Sequence, residues 1–158
     1  VVGLVRNVLQ ATRFDPCFLT LEITETARIS DHQVAASILN ELRSIGVRIS
    51  MDDFGVGAAN YEAFYELPFD EIKIDRMFVA NIAKDPKARA IVASIASMGR
   101  GARITVVAEG LENPQDIPLL QEAGCQQVQG FAFSRPLSLS NLLEYQELAP
   151  EQSLSNIV

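Results

Sequence analysis

Two adjacent aspartates, Asp52 and Asp53, end the alternating stretch Val47 to Met51 and open onto Phe54-Gly55-Val56-Gly57. Neighbouring carboxylates repel, so a fold that holds them together at a strand end offers a place for a cation. The same kind of residue recurs on or just after other extended runs: Glu22, Lys73, Glu109 and Gln129. Four carboxylates with one lysine make an oxygen-rich set that suits Mg²⁺ or Mn²⁺, whereas zinc would call for His or Cys. The single histidine, His32, falls in the first turn of a helical pattern and reads as a solvated surface residue.

Two divalent cations bridged by a shared carboxylate such as Asp52 can polarise a phosphodiester and generate hydroxide at neutral pH. Lys73 could then hold the attacking water or offset charge on the phosphate, and Glu109 could ligate the second cation or accept a proton. Gln129, both donor and acceptor, suits the orientation of water or substrate. Glu25 and Glu112, each three residues beyond a candidate ligand, are supporting candidates. Plainer readings exist for each: an Asp-Asp before Gly as a loop or cap, Lys73 between two isoleucines as an edge-strand guard, Glu109-Gly110 as a strand end and turn. Five strands placing such residues at equivalent ends favours the site.

The elements that must position them alternate along the chain. Val1 to Arg13 has helical spacing, and Phe18 to Thr24 alternates as a strand with Leu19, Leu21 and Ile23 on one face. Ser30 and Gln33 form a capping-box start for a helix ending at Gly46. Strands are predicted at Val47–Asp52, Glu71–Asp75, Arg103–Glu109 and Cys125–Gln129. Helices are predicted at Ala58–Leu67, Phe78–Ala83, Asp85 through Met98, Asn113–Gly124 and Ser138–Glu147.

Strand then helix, five times over with short connections, requires parallel strands and right-handed crossovers. The class is α/β, and both a doubly wound sheet and a (β/α)8 barrel satisfy it. One parity of nearly every strand is polar: Thr20/Glu22/Thr24, Arg48/Ser50/Asp52, Lys73, Thr105/Glu109 and Gln127/Gln129. An open sheet covered by helices on both faces would be apolar on both parities, so the polar set points to a barrel axis. Residues 1–148 read as one partial barrel domain of about five strands and 149–158 as a polar tail.

Composition is that of an ordinary globular chain, with 48% hydrophobic and 21% charged residues. The net charge of −7 argues against DNA or RNA as partner, although cations can carry a small phosphorylated ligand into an acidic pocket. No run reaches the roughly 20 apolar residues of a membrane span, and no signal-peptide pattern is present. Cys17 and Cys125, without metal-like spacing, read as buried free thiols in a reducing compartment, which places the chain in the cytoplasm.

Leu21-Glu22-Ile23-Thr24-Glu25, Asp52-Asp53-Phe54-Gly55-Val56-Gly57, Lys73-Ile74-Asp75-Arg76, Ala108-Glu109-Gly110-Leu111-Glu112 and Gln129-Gly130-Phe131-Ala132-Phe133-Ser134-Arg135-Pro136 resemble, in order, the motifs of EAL-domain cyclic-di-GMP phosphodiesterases. The resemblance implies a (β/α)8-type barrel that hydrolyses cyclic di-GMP to the linear dinucleotide with Mg²⁺ or Mn²⁺. It makes Glu22 and Asp52 ligands of a first cation with Asp52 shared, and puts Asp53 and Glu109 on the side of a second. Lys73 falls near the attacking water, Gln129 among supporting contacts, Glu25 bracing the loop after Asp53 and Glu112 the end of the Glu109 strand.

Two departures qualify the resemblance. The Glu-Ala-Leu segment and the Asn-bearing strand of the family precede the Glu22 strand and are absent, with about three of the eight strands. The piece is therefore expected to be an amino-terminally truncated portion, itself inactive or nearly so. In the loop after Asp53, Val56, Ala58 and Ala59 replace more polar or aromatic residues, which bears on dimerisation. Self-association through that loop or through open strand edges is expected. The alternative function is a catalytically silent EAL-like module that binds cyclic di-GMP or a partner protein.

Overall fold

The computed structural model describes residues 1–24, 29, 31–56 and 61–148. Its elements are α1 (Val2–Thr12), β1 (Thr20–Thr24), α2 (His32–Ser44), β2 (Arg48–Phe54), α3 (Tyr61–Glu66), β3 (Glu71–Ile74), α4 (Arg76–Val79), α5 (Pro86–Ala102), β4 (Thr105–Ala108), α6 (Ile117–Ala123), β5 (Gln127–Val128) and α7 (Leu139–Leu148). Strand order follows the chain, β1-β2-β3-β4-β5. Each strand therefore neighbours the next along the sequence, as expected of an α/β fold with short crossovers. The residues form two compact units, Val1–Lys73 and Ile74–Val158. Among the described residues, no helix is long and apolar enough to cross a membrane.

In the first unit, β1 and β2 are parallel with Thr20 opposite Arg48, Glu22 opposite Ser50 and Thr24 opposite Asp52. Val47, Ile49 and Met51 are buried, as the alternation of β2 requires, and Leu39 and Leu42 of α2 join that core. The start of β3 is tied to β2 twice: Asp70 N–H donates to Ile49 O at 2.8 Å, and Ile49 N–H donates to Asp70 Oδ2 at 3.0 Å. Arg43 clamps the same carboxylate at 2.6 Å, which satisfies an acid at the strand mouth. Phe54 closes β2 with its ring 6.2 Å from Tyr61 and 6.3 Å from Phe64.

In the second unit, β4 and β5 are parallel, with Val107 opposite Gln127 and Ala108 opposite Val128. The long helix α5 starts at Pro86 behind an Asp85 cap, as predicted, and buries Val92, Ile95 and Ala96. Gly99 lets the helix close on β4, since a Cβ there would lie 2.2 Å from Val106 Cγ2. Ile74 is fully buried, and so are Ile82, Val106 and Leu120.

Several local expectations are corrected. The strand after Pro16 begins at Thr20, because Asp15 accepts from Cys17 N–H and winds Pro16–Phe18 into a 3₁₀ turn. That turn leaves Cys17 exposed, whereas Cys125 is buried as expected. Helix α2 is capped by Asp31, whose carboxylate accepts from Val34 N–H at 3.0 Å. The helix after β3 begins at Arg76, because Asp75 caps it by accepting from Met77 N–H at 2.7 Å. Glu25, Ser30, Ala58, Ala59 and the polar tail 149–158 lie outside the described residues.

Candidate metal and phosphoryl-transfer site

The first unit brings Glu22, Asp52, Asp53 and Lys73 to the carboxyl ends of three consecutive strands. Lys73 is 5% exposed, which excludes an edge-strand guard facing water. Its Nζ donates to Glu22 Oε1 at 2.5 Å and lies 3.4 Å from Asp52 Oδ1. The register explains the meeting. Glu22 stands opposite Ser50, Asp52 lies two residues further on the same face of β2, and Lys73 of β3 reaches both carboxylates.

Asp52 Oδ1 is buried and accepts no hydrogen bond, although it sits in ionic range of Lys73. A buried carboxylate oxygen without a donor is costly, and a cation is one of the few groups that can satisfy it. The oxygen donors of Glu22, Asp52 and Asp53 are of the kind a hard divalent ion takes. Ser50 Oγ, fully buried one step below Asp52 on the same parity, is likewise without a hydrogen-bond partner. In the sequence Ser50 shares the polar parity of Asp52, and that parity places it under the site.

Asp53 holds φ at 56°, the left-handed region that non-glycine residues seldom occupy. Strict alternation would send Asp53 to the face opposite Asp52. The left-handed step breaks that alternation, and carboxylate oxygens of the two residues lie within 4.8 Å of one another. Strain of this sort is characteristic of sites where chemistry dictates the backbone.

The second unit places Glu109 directly after β4, its N–H donating to Ile74 O at 3.1 Å. Gly110 follows with φ 69°, and a Cβ there would lie 2.3 Å from Arg76 Cβ, so the turn that presents Glu109 needs glycine twice over. Gln129 is exposed just past β5, fixed by its N–H to Ala108 O at 2.9 Å and by Leu111 N–H to its carbonyl at 3.0 Å. Glu112 is exposed beside buried Leu111. A cavity of about 270 Å³ opens beside Gln129 and is lined by Phe131, Phe133 and Arg135, with the Arg135 guanidinium 4.9 Å above the Phe131 ring. The aromatic and basic lining was not assigned a role from sequence.

The EAL domain model matches residues 1–136. Over 145 residues the chain is 39% identical to the Pseudomonas aeruginosa protein called cyclic di-GMP phosphodiesterase NbdA, covering 92% of this chain and 18% of that protein. Among solved structures, the EAL domain of Mycobacterium smegmatis DcpA superposes with a TM-score of 0.88 at 30% identity, over 94% of this chain and 68% of that one. Klebsiella pneumoniae BlrP1, solved as a manganese and cyclic-di-GMP complex, superposes with a TM-score of 0.77 at 36% identity, over 85% of this chain and 34% of that one. The α/β fold with its five strands is thus a portion of a barrel, as the polar parity predicted. The chain spans under a fifth of the length of NbdA.

Proposed function

The chain belongs to the EAL-domain family, and from that premise we propose that its site serves metal-dependent hydrolysis of cyclic di-GMP to the linear dinucleotide. The observation that carries the reading is the meeting of Lys73 with Glu22 and Asp52, with Asp52 Oδ1 buried and lacking a hydrogen-bond donor. The proposal names cyclic di-GMP as substrate and Mg²⁺ or Mn²⁺ as cofactor, and it takes the site to lie in the cytoplasm.

Glu22, Asp52, Asp53 and Glu109 would hold the cations, with Asp52 the shared carboxylate. Bound there, such ions lower the pKa of water and neutralise charge on a phosphodiester. Lys73 holds its ammonium between two carboxylates at the inner end of the site, where it can keep a water in place and attract the scissile phosphate. Gln129 orients water or substrate at the rim, and Glu25 and Glu112 brace the loops that carry Asp53 and Glu109. The chain covers 68% of the DcpA domain, so turnover is proposed for a protein that joins it to the remaining strands, and little or none for residues 1–158 alone. Residues 1–148 make up the partial barrel domain in this proposal and 149–158 a polar extension.

The test is hydrolysis of cyclic di-GMP with Mn²⁺ or Mg²⁺ by such a completed barrel, with Asp52→Asn and Lys73→Ala beside it. Turnover by the wild type with loss in both variants supports the reading. Binding of the dinucleotide without turnover would replace it by a catalytically silent module.

A further inference from the structure

A second group of ligating side chains lies in the first unit, outside the Lys73 site. His32 is the first residue of α2, and Glu62 and Glu66 stand one helical turn apart on α3. His32 Nδ1 lies 2.6 Å from Glu66 Oε2, and one ligating atom from each of the three residues falls within 4.8 Å of the others. The imidazole is 20% exposed, against 43% for Glu66, so the ring is largely covered and held in one orientation. This corrects the expectation of a merely solvated histidine.

We propose that His32, Glu62 and Glu66 form a binding site for a divalent transition-metal cation of the Zn²⁺ class, which clips the start of α2 to α3. One imidazole nitrogen and two carboxylates are a mixed donor set, distinct in kind from the all-oxygen set of Glu22, Asp52 and Asp53. Zinc bonds of about 2.0–2.2 Å need donors roughly 3.3–3.5 Å apart, so on binding the 2.6 Å His32–Glu66 pair would open, within a group whose ligating atoms all lie within 4.8 Å of one another. The amino end of α2 disfavours a nearby cation, and the two carboxylates oppose that effect with full charges. Binding replaces the hydrogen-bonded proton on Nδ1, which leaves with solvent or moves to Nε2. Three protein ligands leave a fourth position for water or for a donor from another chain.

His32 is the only histidine in the chain, so its ring resonances report on this site alone. The experiment titrates Zn²⁺ into the full 158-residue chain in excess Mg²⁺, followed by calorimetry and by histidine ring NMR. The expected result is one Zn²⁺ per chain with a shift of the His32 ring signals, unchanged in Asp52→Asn and at least tenfold weaker in His32→Gln and Glu62→Gln. Glu62→Gln spares the His32–Glu66 contact, so its loss of binding does not reflect misfolding. No zinc binding, binding unaltered in Glu62→Gln and His32→Gln, or binding lost in Asp52→Asn would each overturn the proposal. The Asp52→Asn arm also separates this site from the phosphodiesterase reading, which fails or stands on turnover.

Discussion

Lys73 and Glu22 meet at 2.5 Å although 51 positions separate them in the chain, and the lysine is buried while the glutamate stays half exposed. The ammonium thus screens Glu22 from Asp52, 3.4 Å away on its other side. Lys73→Met keeps the aliphatic stem and removes the charge, leaving two carboxylates facing each other. Stability measured by urea unfolding should fall by about 1–3 kcal/mol, the lower part of that range reflecting solvent at Glu22. Millimolar Mn²⁺ should restore more stability in the variant than in the wild type, because the cation then takes the place of the ammonium.

Chelation should abolish hydrolysis by a completed barrel, and Mn²⁺ or Mg²⁺ should restore it. Asp52→Asn should lower kcat by about 10²-fold or more at saturating metal, since an amide oxygen cannot carry the charge a bridging carboxylate shares. Retention of full activity in EDTA would exclude the proposed chemistry.

Gly110→Ala tests the turn behind Glu109. Both the left-handed φ of 69° and the 2.3 Å approach to Arg76 Cβ oppose a side chain. Thermal unfolding should show a loss of about 1–3 kcal/mol. An alanine variant as stable as the wild type would mean the turn can relax without moving Glu109.

The two thiols should separate by reactivity. Burial pushes Cys125 up to about 11, from an ordinary value of 9.0. The folded chain then keeps a proton that the unfolded chain has lost, so the stability linked to this thiol is complete below pH 9 and declines as pH rises toward 11. The total is at most about 3 kcal/mol. Comparing the wild type with Cys125→Ala across that window isolates the effect. Exposed Cys17 is also raised, chiefly by its hydrogen bond with the Asp15 carboxylate. It should label with a thiol reagent in the folded protein, faster as pH rises, while Cys125 labels only on unfolding.

The outer strands of the sheet, β1 and β5, pair on one side only among the described residues. Phe18, two residues before β1, is 76% exposed. Such an edge is a template for another chain. Light scattering should therefore show mass rising with protein concentration, and a constant monomer mass would refute it.

Strand parity carried most of the information available in the sequence. It placed Glu22, Asp52 and Lys73 on one parity, while the strand order follows from the short crossovers. Parity does not distinguish an edge lysine from an interior one, because Ile72-Lys73-Ile74 alternates identically in both; only the neighbouring strands bury it. Cys17 departs from its expected burial for a related reason. Its flanks are apolar, but Asp15 and Pro16 wind a turn there that points the thiol outward. His32 gave no pattern at all, since its partners Glu62 and Glu66 lie 30 or more residues away.

An aspartate at φ 56° costs about 1 kcal/mol or more that glycine would not incur. A chain released from catalytic duty would gain stability by exchanging Asp53 for glycine, or for asparagine, which also tolerates this conformation. Position 53 is therefore a gauge of purpose: a variant that becomes sturdier there while losing turnover would show that selection has held the less comfortable residue for the sake of its charge.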